Sequence, residues 1–168
     1  ANGNLDLRVW TGAQVASGGT LVGSAALFSV DASSAGGEAV GGPDFDGDGI
    51  PELILASNTL TSSGALSTGK VFLVSGADVA VGGSFTADDF TGLTGGSNAG
   101  VGVHNAFMDD MNGDGVPELE VSAPGLASTY DGSGEVYVVS GADVWGGGRA
   151  ADLSTFTVQG TDIEGRLT

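Results

Sequence analysis

The feature that most constrains the fold of this 168-residue chain is an internal repeat. Residues 44–53 (DFDGDGIPEL) recur as residues 110–119 (DMNGDGVPEL), an offset of 66 residues. A second pattern, residues 71–79 (VFLVSGADV), recurs as residues 136–144 (VYVVSGADV) and more weakly as residues 7–15 (LRVWTGAQV). A Gly-Gly pair follows each copy of the second pattern at the same distance. Repeats of this length predict one structural unit used three times, with the first copy incomplete.

Each full unit contains four short apolar runs that predict β-strands. The runs are rich in β-branched and aromatic residues, are bounded by Gly, Ser, Asn and Asp, and show no helical period. We therefore expect an all-β chain with essentially no helix. The third run of each unit is apolar on both faces, which is typical of a strand buried between two sheets. Strands are predicted near residues 7–11 and 26–30, then near 39–42, 53–56, 71–75 and 90–93, and finally near 103–108, 119–122, 136–140 and 155–158.

Repeated sheets of four antiparallel strands are the blades of a β-propeller, and this repeat predicts about two and a half of them. We call residues 1–31 the half unit, because they supply only the C-terminal half of a blade. Residues 32–95 form the first full unit, and residues 96–168 form the second full unit with the lead-in to a further blade. Incomplete blades leave sheet edges and apolar faces uncovered. We therefore expect a protein partner, or self-association through the incomplete blades.

Two acidic loops, residues 44–52 and 110–118, contain the residues that predict chemistry. Oxygen atoms at alternate loop positions converge on one point, and Ca²⁺ takes about six to eight oxygen ligands. The expected ligands in the first acidic loop are Asp44, Asp46, Asp48, the carbonyl of Ile50, and Glu52. In the second acidic loop they are Asp110, Asn112, Asp114, the carbonyl of Val116, and Glu118. We predict two Ca²⁺ ions, one in each loop.

Two other kinds of loop contain similar residues, namely the EF-hand loop and the metal-free turn. An EF-hand needs a bidentate Glu at its twelfth position, which here is Leu55 or Val121, inside predicted strands, so the EF-hand is rejected. The other interpretation is a pair of Asp- and Gly-rich turns without an ion. Several carboxylates within one short loop repel one another unless a cation neutralises them, which favours the metal sites.

The acidic loops resemble the D-x-[DN]-x-D-G-x-x-[DE] loop of FG-GAP repeats, which occur in integrin α-subunit propellers and their bacterial relatives. Residues 122–124 (SAP) approximate the Gly-Ala-Pro element of that family, whereas residues 56–58 (ASN) replace it in the first full unit. The Phe-Gly pair is degraded to residues 101–102 (VG) and 36–37 (GG). The resemblance implies blades around a central axis, calcium loops that join the first two strands of a blade, and an extracellular location. It also implies that residues 160–167 approach a further blade, so that residues 163–166 (IEGR) are native and not a cloning remnant.

Composition disfavours several classes of partner. The chain has 21 acidic residues against 4 Lys and Arg, which disfavours nucleic acid and anionic lipid. No apolar run is long enough for membrane insertion, and the start does not resemble a signal peptide, so we expect a mature or excised segment. There is no cysteine, so neither disulfides nor thiolate chemistry are expected.

The residues do not favour an enzyme. His104, the only histidine, lies in a predicted strand and no G-x-S-x-G motif is present, while the patterned acids are assigned to calcium. Trp10 and Trp145, near equivalent repeat positions, are expected to pack between blades, with stacking on a glycan as the alternative. The expected function is an extracellular calcium-binding structural, adhesion or assembly module. The alternatives are a glycan-binding, lectin-like propeller and the non-catalytic propeller of a larger secreted enzyme.

Overall fold

The computed structural model describes residues 4–35, 38–57, 68–86, 89–96, 99–125, 134–154 and 156–159. These residues are mostly β, with twelve strands in three sheets and four short α-helices. The strands are β1 (Asn4–Val9), β2 (Phe28–Ala35), β3 (Glu38–Gly41), β4 (Leu53–Ser57), β5 (Lys70–Val74), β6 (Gly83–Thr86), β7 (Leu93–Thr94), β8 (Asn105–Phe107), β9 (Glu118–Ala123), β10 (Glu135–Ser140), β11 (Gly148–Arg149) and β12 (Phe156–Gln159). The helices are α1 (Gly12–Ala16), α2 (Gly76–Val81), α3 (Gly141–Gly146) and α4 (Ala150–Leu153), with one 3₁₀ turn at Gly23–Ala25.

The three sheets follow the three copies of the repeat. The half-unit sheet has the order β1-β2-β6, the first-unit sheet β11-β7-β5-β4-β3, and the second-unit sheet β12-β10-β9-β8. Within each full unit four strands pair in antiparallel fashion in chain order, as the repeat predicted. The described residues form an open set of three sheets and not a closed ring.

The fourth strand of the first full unit is shorter than predicted. It was expected near residues 90–93, but β7 contains only Leu93 and Thr94. Ahead of β7, the carboxylate of Asp89 accepts hydrogen bonds from the backbone nitrogen (2.6 Å) and hydroxyl (2.9 Å) of Thr86. Phe90 then stacks on Phe72, with ring centroids 5.4 Å apart.

The sheets pack on both faces of the central strand β5, which confirms, for the first full unit, the prediction of a strand buried between two sheets. Val71 and Leu73 lie in a hydrophobic core shared with the second-unit sheet. Phe72 and Val74, on the opposite face, lie in a core shared with the half-unit sheet. All four side chains are at most 3% exposed, and each buried side chain of this kind contributes about 1.5–3 kcal/mol.

A short helix follows the third strand of each unit, so the expectation of essentially no helix was wrong. The hydroxyl of Ser75 accepts a hydrogen bond from the backbone nitrogen of Ala77 (3.1 Å) and caps α2, and Thr11 caps α1 with its side chain. The six-residue runs of α2 and α3 are too short for a helical period to appear in the sequence. No helix among the described residues is long enough to cross a membrane.

Some predictions fall on residues outside the described ranges. These are the approach to a further blade at residues 160–167, the sequence IEGR at residues 163–166, the glycine pair at residues 36–37, and Asn58.

Candidate metal centres

The two acidic loops join the first two strands of each full unit. The first acidic loop connects β3 to β4, and the second connects β8 to β9. Gly47 and Gly49 have φ angles of 79° and 89°, and Gly113 and Gly115 have 82° and 90°. No atom lies within 4 Å of a Cβ built on any of the four, so it is the backbone conformation that demands glycine here. The two loops therefore share one backbone shape.

The first aspartate of each loop holds that shape in place. In the first acidic loop Asp44 accepts hydrogen bonds from Gly47 N (Oδ1, 2.7 Å) and Gly49 N (Oδ2, 2.8 Å). In the second, Asp110 accepts the equivalent bonds at 2.6 Å and 2.9 Å. Asp110 Oδ1 also accepts a hydrogen bond from the backbone nitrogen of Asp114 (3.1 Å). A carboxylate oxygen has two lone pairs, so both oxygens of Asp44 and Oδ2 of Asp110 keep acceptor capacity after these bonds. The backbone therefore orients the first carboxylate and leaves it at least one lone pair for a cation.

A buried glutamate closes each loop. Glu52 and Glu118 are each 1% exposed. Burial raises the pKa of Glu52 above its usual value, and the charges of Asp46 and Asp44 raise it further. Hydrogen bonds from the backbone nitrogens of Phe45 and Gly76 to its carboxylate oppose this rise only in part. A buried carboxylate beside other carboxylates is stable only when it is protonated or paired with a cation.

The remaining acids converge on these glutamates. In the first acidic loop Asp44, Asp46, Asp48 and Glu52 each place an oxygen within 4.8 Å of the others. In the second, Asp110, Asp114 and Glu118 do the same. Ligands on opposite sides of a hard cation are about 4.8 Å apart when each is about 2.4 Å from the ion. Both clusters can hold a metal ion.

Asn112 makes the second loop different from the first. Its Nδ2 donates to Glu118 Oε1 (2.9 Å) and to Asp114 Oδ2 (3.0 Å). Its Oδ1 accepts from the backbone nitrogen of Asp114 at 2.8 Å, just as Asp46 Oδ1 accepts from Asp48 N at 3.0 Å. An amide N–H therefore occupies the place where Asp46 has its second oxygen, and Asn112 must turn its amide to offer oxygen to a cation.

The carbonyls of Ile50 and Val116 were predicted as ligands from their loop position, and that role stays a prediction. What the structure adds is the contact of their backbone nitrogens, which donate to Asp48 Oδ1 and Asp114 Oδ1, respectively, at 2.7 Å and 2.8 Å. The bond from Val116 holds the pKa of Asp114 below its usual value, with smaller contributions from Asn112 and Ser140.

In each full unit the Ser-Gly pair at the end of the third strand also lies against the acidic loop, and the sequence did not lead us to predict it. A Cβ on Gly76 would come within 2.5 Å of both Ile50 Cγ2 and the Pro51 carbonyl. In the other unit Gly141 N donates to the Pro117 carbonyl (3.1 Å), and Ser140 Oγ donates to Asp114 Oδ2 (3.4 Å). The repetition of VSGAD in register with the loops was the available signal.

The residues weighed for other functions lie elsewhere. His104 is exposed, and its backbone nitrogen bonds the hydroxyl of Ser122 at 2.9 Å. Trp145 lies in α3 and packs, partly buried, against the core shared by the two full units. This contact is the inter-sheet packing that was expected for it.

A scan against protein-family models finds no match to this sequence, and a search of curated proteins finds no significant match. The FG-GAP resemblance therefore stays an interpretation of the repeated residues themselves.

Proposed function

We propose that this chain is an extracellular calcium-binding structural module used in adhesion or assembly, with one Ca²⁺ in each acidic loop. The observation that supports this most is a buried glutamate, repeated at the same place in both loops, facing two or three aspartates. Without a cation these carboxylates repel one another at close range, whereas a central cation converts the repulsion into attraction. The clusters therefore have a physical reason to bind metal.

The ligand set favours calcium over other divalent ions. The clustered side chains offer only oxygen atoms, which disfavours zinc. Magnesium requires near-ideal octahedral geometry and keeps several waters, while Ca²⁺ accepts more ligands in a flexible arrangement. A loop with three or four carboxylates, carbonyls and flexible glycines suits the larger ion.

Calcium in this position stabilises the fold instead of carrying out chemistry. Each loop joins two neighbouring strands, so an ion that binds only the folded loop adds its binding energy to folding. At a free Ca²⁺ concentration about a hundredfold above Kd, each site adds about 2.7 kcal/mol. Two sites add about 5 kcal/mol, which raises Tm by roughly 10–20 °C in a chain of this size.

We also propose that the sheets are blades of a β-propeller of the FG-GAP type. Antiparallel pairing within each full unit, the burial of both faces of β5, and the equivalent placement of the two loops support this. The extracellular location rests on the FG-GAP resemblance. The contact of Trp145 with the core gives no support to a glycan site.

Thermal denaturation followed by circular dichroism, in Ca²⁺, in Mg²⁺ and in EDTA, tests the proposal. We expect a clear rise in Tm in Ca²⁺ and little rise in Mg²⁺. The double variant Asp48→Asn with Asp114→Asn should lose most of the rise. A double variant with the same charge change on exposed helix positions, Asp78→Asn with Asp143→Asn, should keep it. An unchanged Tm between Ca²⁺ and EDTA would contradict the proposal.

A further inference from the structure

Two strands join a repeat unit to the preceding one. After α2, β6 adds in parallel to β2 of the half-unit sheet, and after α3, β11 adds in parallel to β7 of the first-unit sheet. Gly83 N donates to the Leu27 carbonyl (2.9 Å), and Gly148 N donates to the Gly92 carbonyl (3.0 Å). The segment after each of these helices is therefore a donor strand, and the outer edge of the preceding sheet is its acceptor.

The half unit contains a third segment of the donor type. α1 is followed by Gly18 and Gly19, whose φ angles of 69° and 102° resemble the pairs 85° and 141° after α2, and 66° and 148° after α3. Leu21 and Val22, just beyond the pair, are 42% and 49% exposed. In the part of the chain that the structure describes, residues 19–22 pair with no strand. This segment shares the pair of positive-φ glycines with the two donors, and no described residue is its acceptor.

The second-unit sheet has a third acceptor edge. β12 pairs with β10 on one side, and none of the described residues forms a strand on its other side. Phe156 and Val158 on β12 are 61% and 36% exposed. An edge strand with open backbone groups and apolar side chains is a template for pairing with another strand.

The face beside this edge is uncovered where its counterpart is covered. Phe45, at the second position of the first acidic loop, is 5% exposed because it packs against Phe107 of the second-unit sheet, with ring centroids 5.3 Å apart. The matching residue of the second acidic loop, Met111, is 65% exposed and lines a pocket together with Phe156. Within the chain, the face around Phe45 is covered by the following repeat unit. A repeat unit is therefore the kind of partner that fits the open face around Met111.

We propose that the open edge of β12 binds residues 18–22 of a second copy of this chain as a parallel strand. Copies then associate head to tail through the same contact that joins units within one chain. The inference names the partner for the assembly role proposed above and rests on that role. It requires no cation at the contact itself.

The two existing contacts predict the register. In them the second glycine of the pair lies opposite Phe28 or Leu93. Residues of different units can be matched through their partners on the neighbouring antiparallel strand, which the repeat aligns. By this match Phe156 corresponds to Phe28, and Val158 corresponds to Leu93. We therefore expect Gly19 opposite Phe156 or Val158. In both registers Thr157, which lies between Phe156 and Val158, directs its backbone N–H and C=O toward the incoming strand.

That intervening residue, Thr157, and Leu21 give matched variants. Thr157→Pro places a ring where the donor strand would lie, while Thr157→Val loses the same hydroxyl contact to Ser154 (2.8 Å) but keeps the N–H. Leu21→Pro removes an N–H from the donor, and Leu21→Ala keeps it. Sedimentation velocity in saturating Ca²⁺, over a wide range of protein concentration, measures association. Circular dichroism checks that each variant is folded.

We expect the wild type and the Val and Ala variants to associate with rising concentration, and each proline variant alone to remain a monomer. An equimolar mixture of the two proline variants should form a one-to-one dimer, because each supplies the strand that the other lacks. A wild type that is monomeric at every concentration overturns the proposal. Association retained by both proline variants also overturns it. If Thr157→Pro binds Ca²⁺ in calorimetry while the wild type does not associate, the contact fails and the calcium function stands.

Discussion

Exchanging the residues at the third position of the two acidic loops separates metal binding from loop structure. Asp46 and Asn112 accept the same backbone hydrogen bond through Oδ1, at 3.0 Å and 2.8 Å. Asp46→Asn and Asn112→Asp therefore keep the loop shape and change one charge each. Because Asn112 already shows the geometry that the first variant would adopt, the substitution has a template in the protein.

The size of the effect follows from the spacing of the carboxylates. Two carboxylates 4.8 Å apart repel by about 0.9 kcal/mol in water. Asp46 faces three such neighbours, so removing its charge should stabilise the ion-free fold by roughly 2–3 kcal/mol before salt screening and side-chain movement. That corresponds to a Tm higher by about 4–12 °C in EDTA.

In Ca²⁺ the sign should reverse. A carboxylate about 2.4 Å from the ion is attracted by roughly 3.5 kcal/mol, more than the repulsion that its removal relieves. Asp46→Asn should therefore be less stable than wild type by about 1 kcal/mol, with a Tm lower by about 2–4 °C. Asn112→Asp should change in the opposite direction in both buffers, and it also loses the amide bonds to Glu118 and Asp114 in EDTA.

The assay is thermal denaturation of both variants in matched Ca²⁺ and EDTA buffers, with Asp78→Asn on the exposed surface of α2 as the control. The control should shift Tm equally in the two buffers. If Asp46→Asn lowers Tm by the same amount in both buffers, Asp46 serves loop structure alone, and the reasoning from charge is refuted.

Two further predictions concern pH and packing. Because burial raises the pKa of Glu52 above its unfolded value, its ionisation destabilises the ion-free fold. Relative to Glu52→Gln, the wild type in EDTA should gain stability as pH falls through the raised pKa of Glu52. In Ca²⁺, which favours the ionised form of Glu52, the wild type should instead lose stability over the same pH range. Measurements of Tm from about pH 4 to pH 8 test both trends. Gly76→Ala should cost about 1–3 kcal/mol, because its Cβ would lie 2.5 Å from Ile50 Cγ2; Gly12→Ala, at the matching position with nothing within 4 Å, should be close to neutral in urea denaturation.

The repeat predicted the strands well because each strand carries a local signal. Residues 136–140 were expected to form a strand, and β10 spans Glu135–Ser140. The acidic loops were equally readable, since alternate acids and glycines act within nine residues, and the structure brings their carboxylates together.

Other features depend on contacts between units and left weaker traces in the sequence. β6 and β11 lie directly after Gly-Gly pairs and are defined by pairing with a sheet from the preceding unit. Gly76 is required by the approach of Ile50 and Pro51, more than twenty residues earlier in the chain. The sequence predicted Asn112 as an oxygen ligand, whereas in the structure its amide nitrogen donates to the carboxylates of Asp114 and Glu118. The position of those carboxylates around Asn112 could not be inferred from the sequence.

The central claim is that each acidic loop binds one Ca²⁺, and calorimetric titration of the chelated protein with Ca²⁺ tests it most directly. The account predicts two ions per chain, one after Glu52→Gln or after Glu118→Gln, and none after both. Absence of saturable binding in the wild type, or two ions still bound after both substitutions, would contradict it.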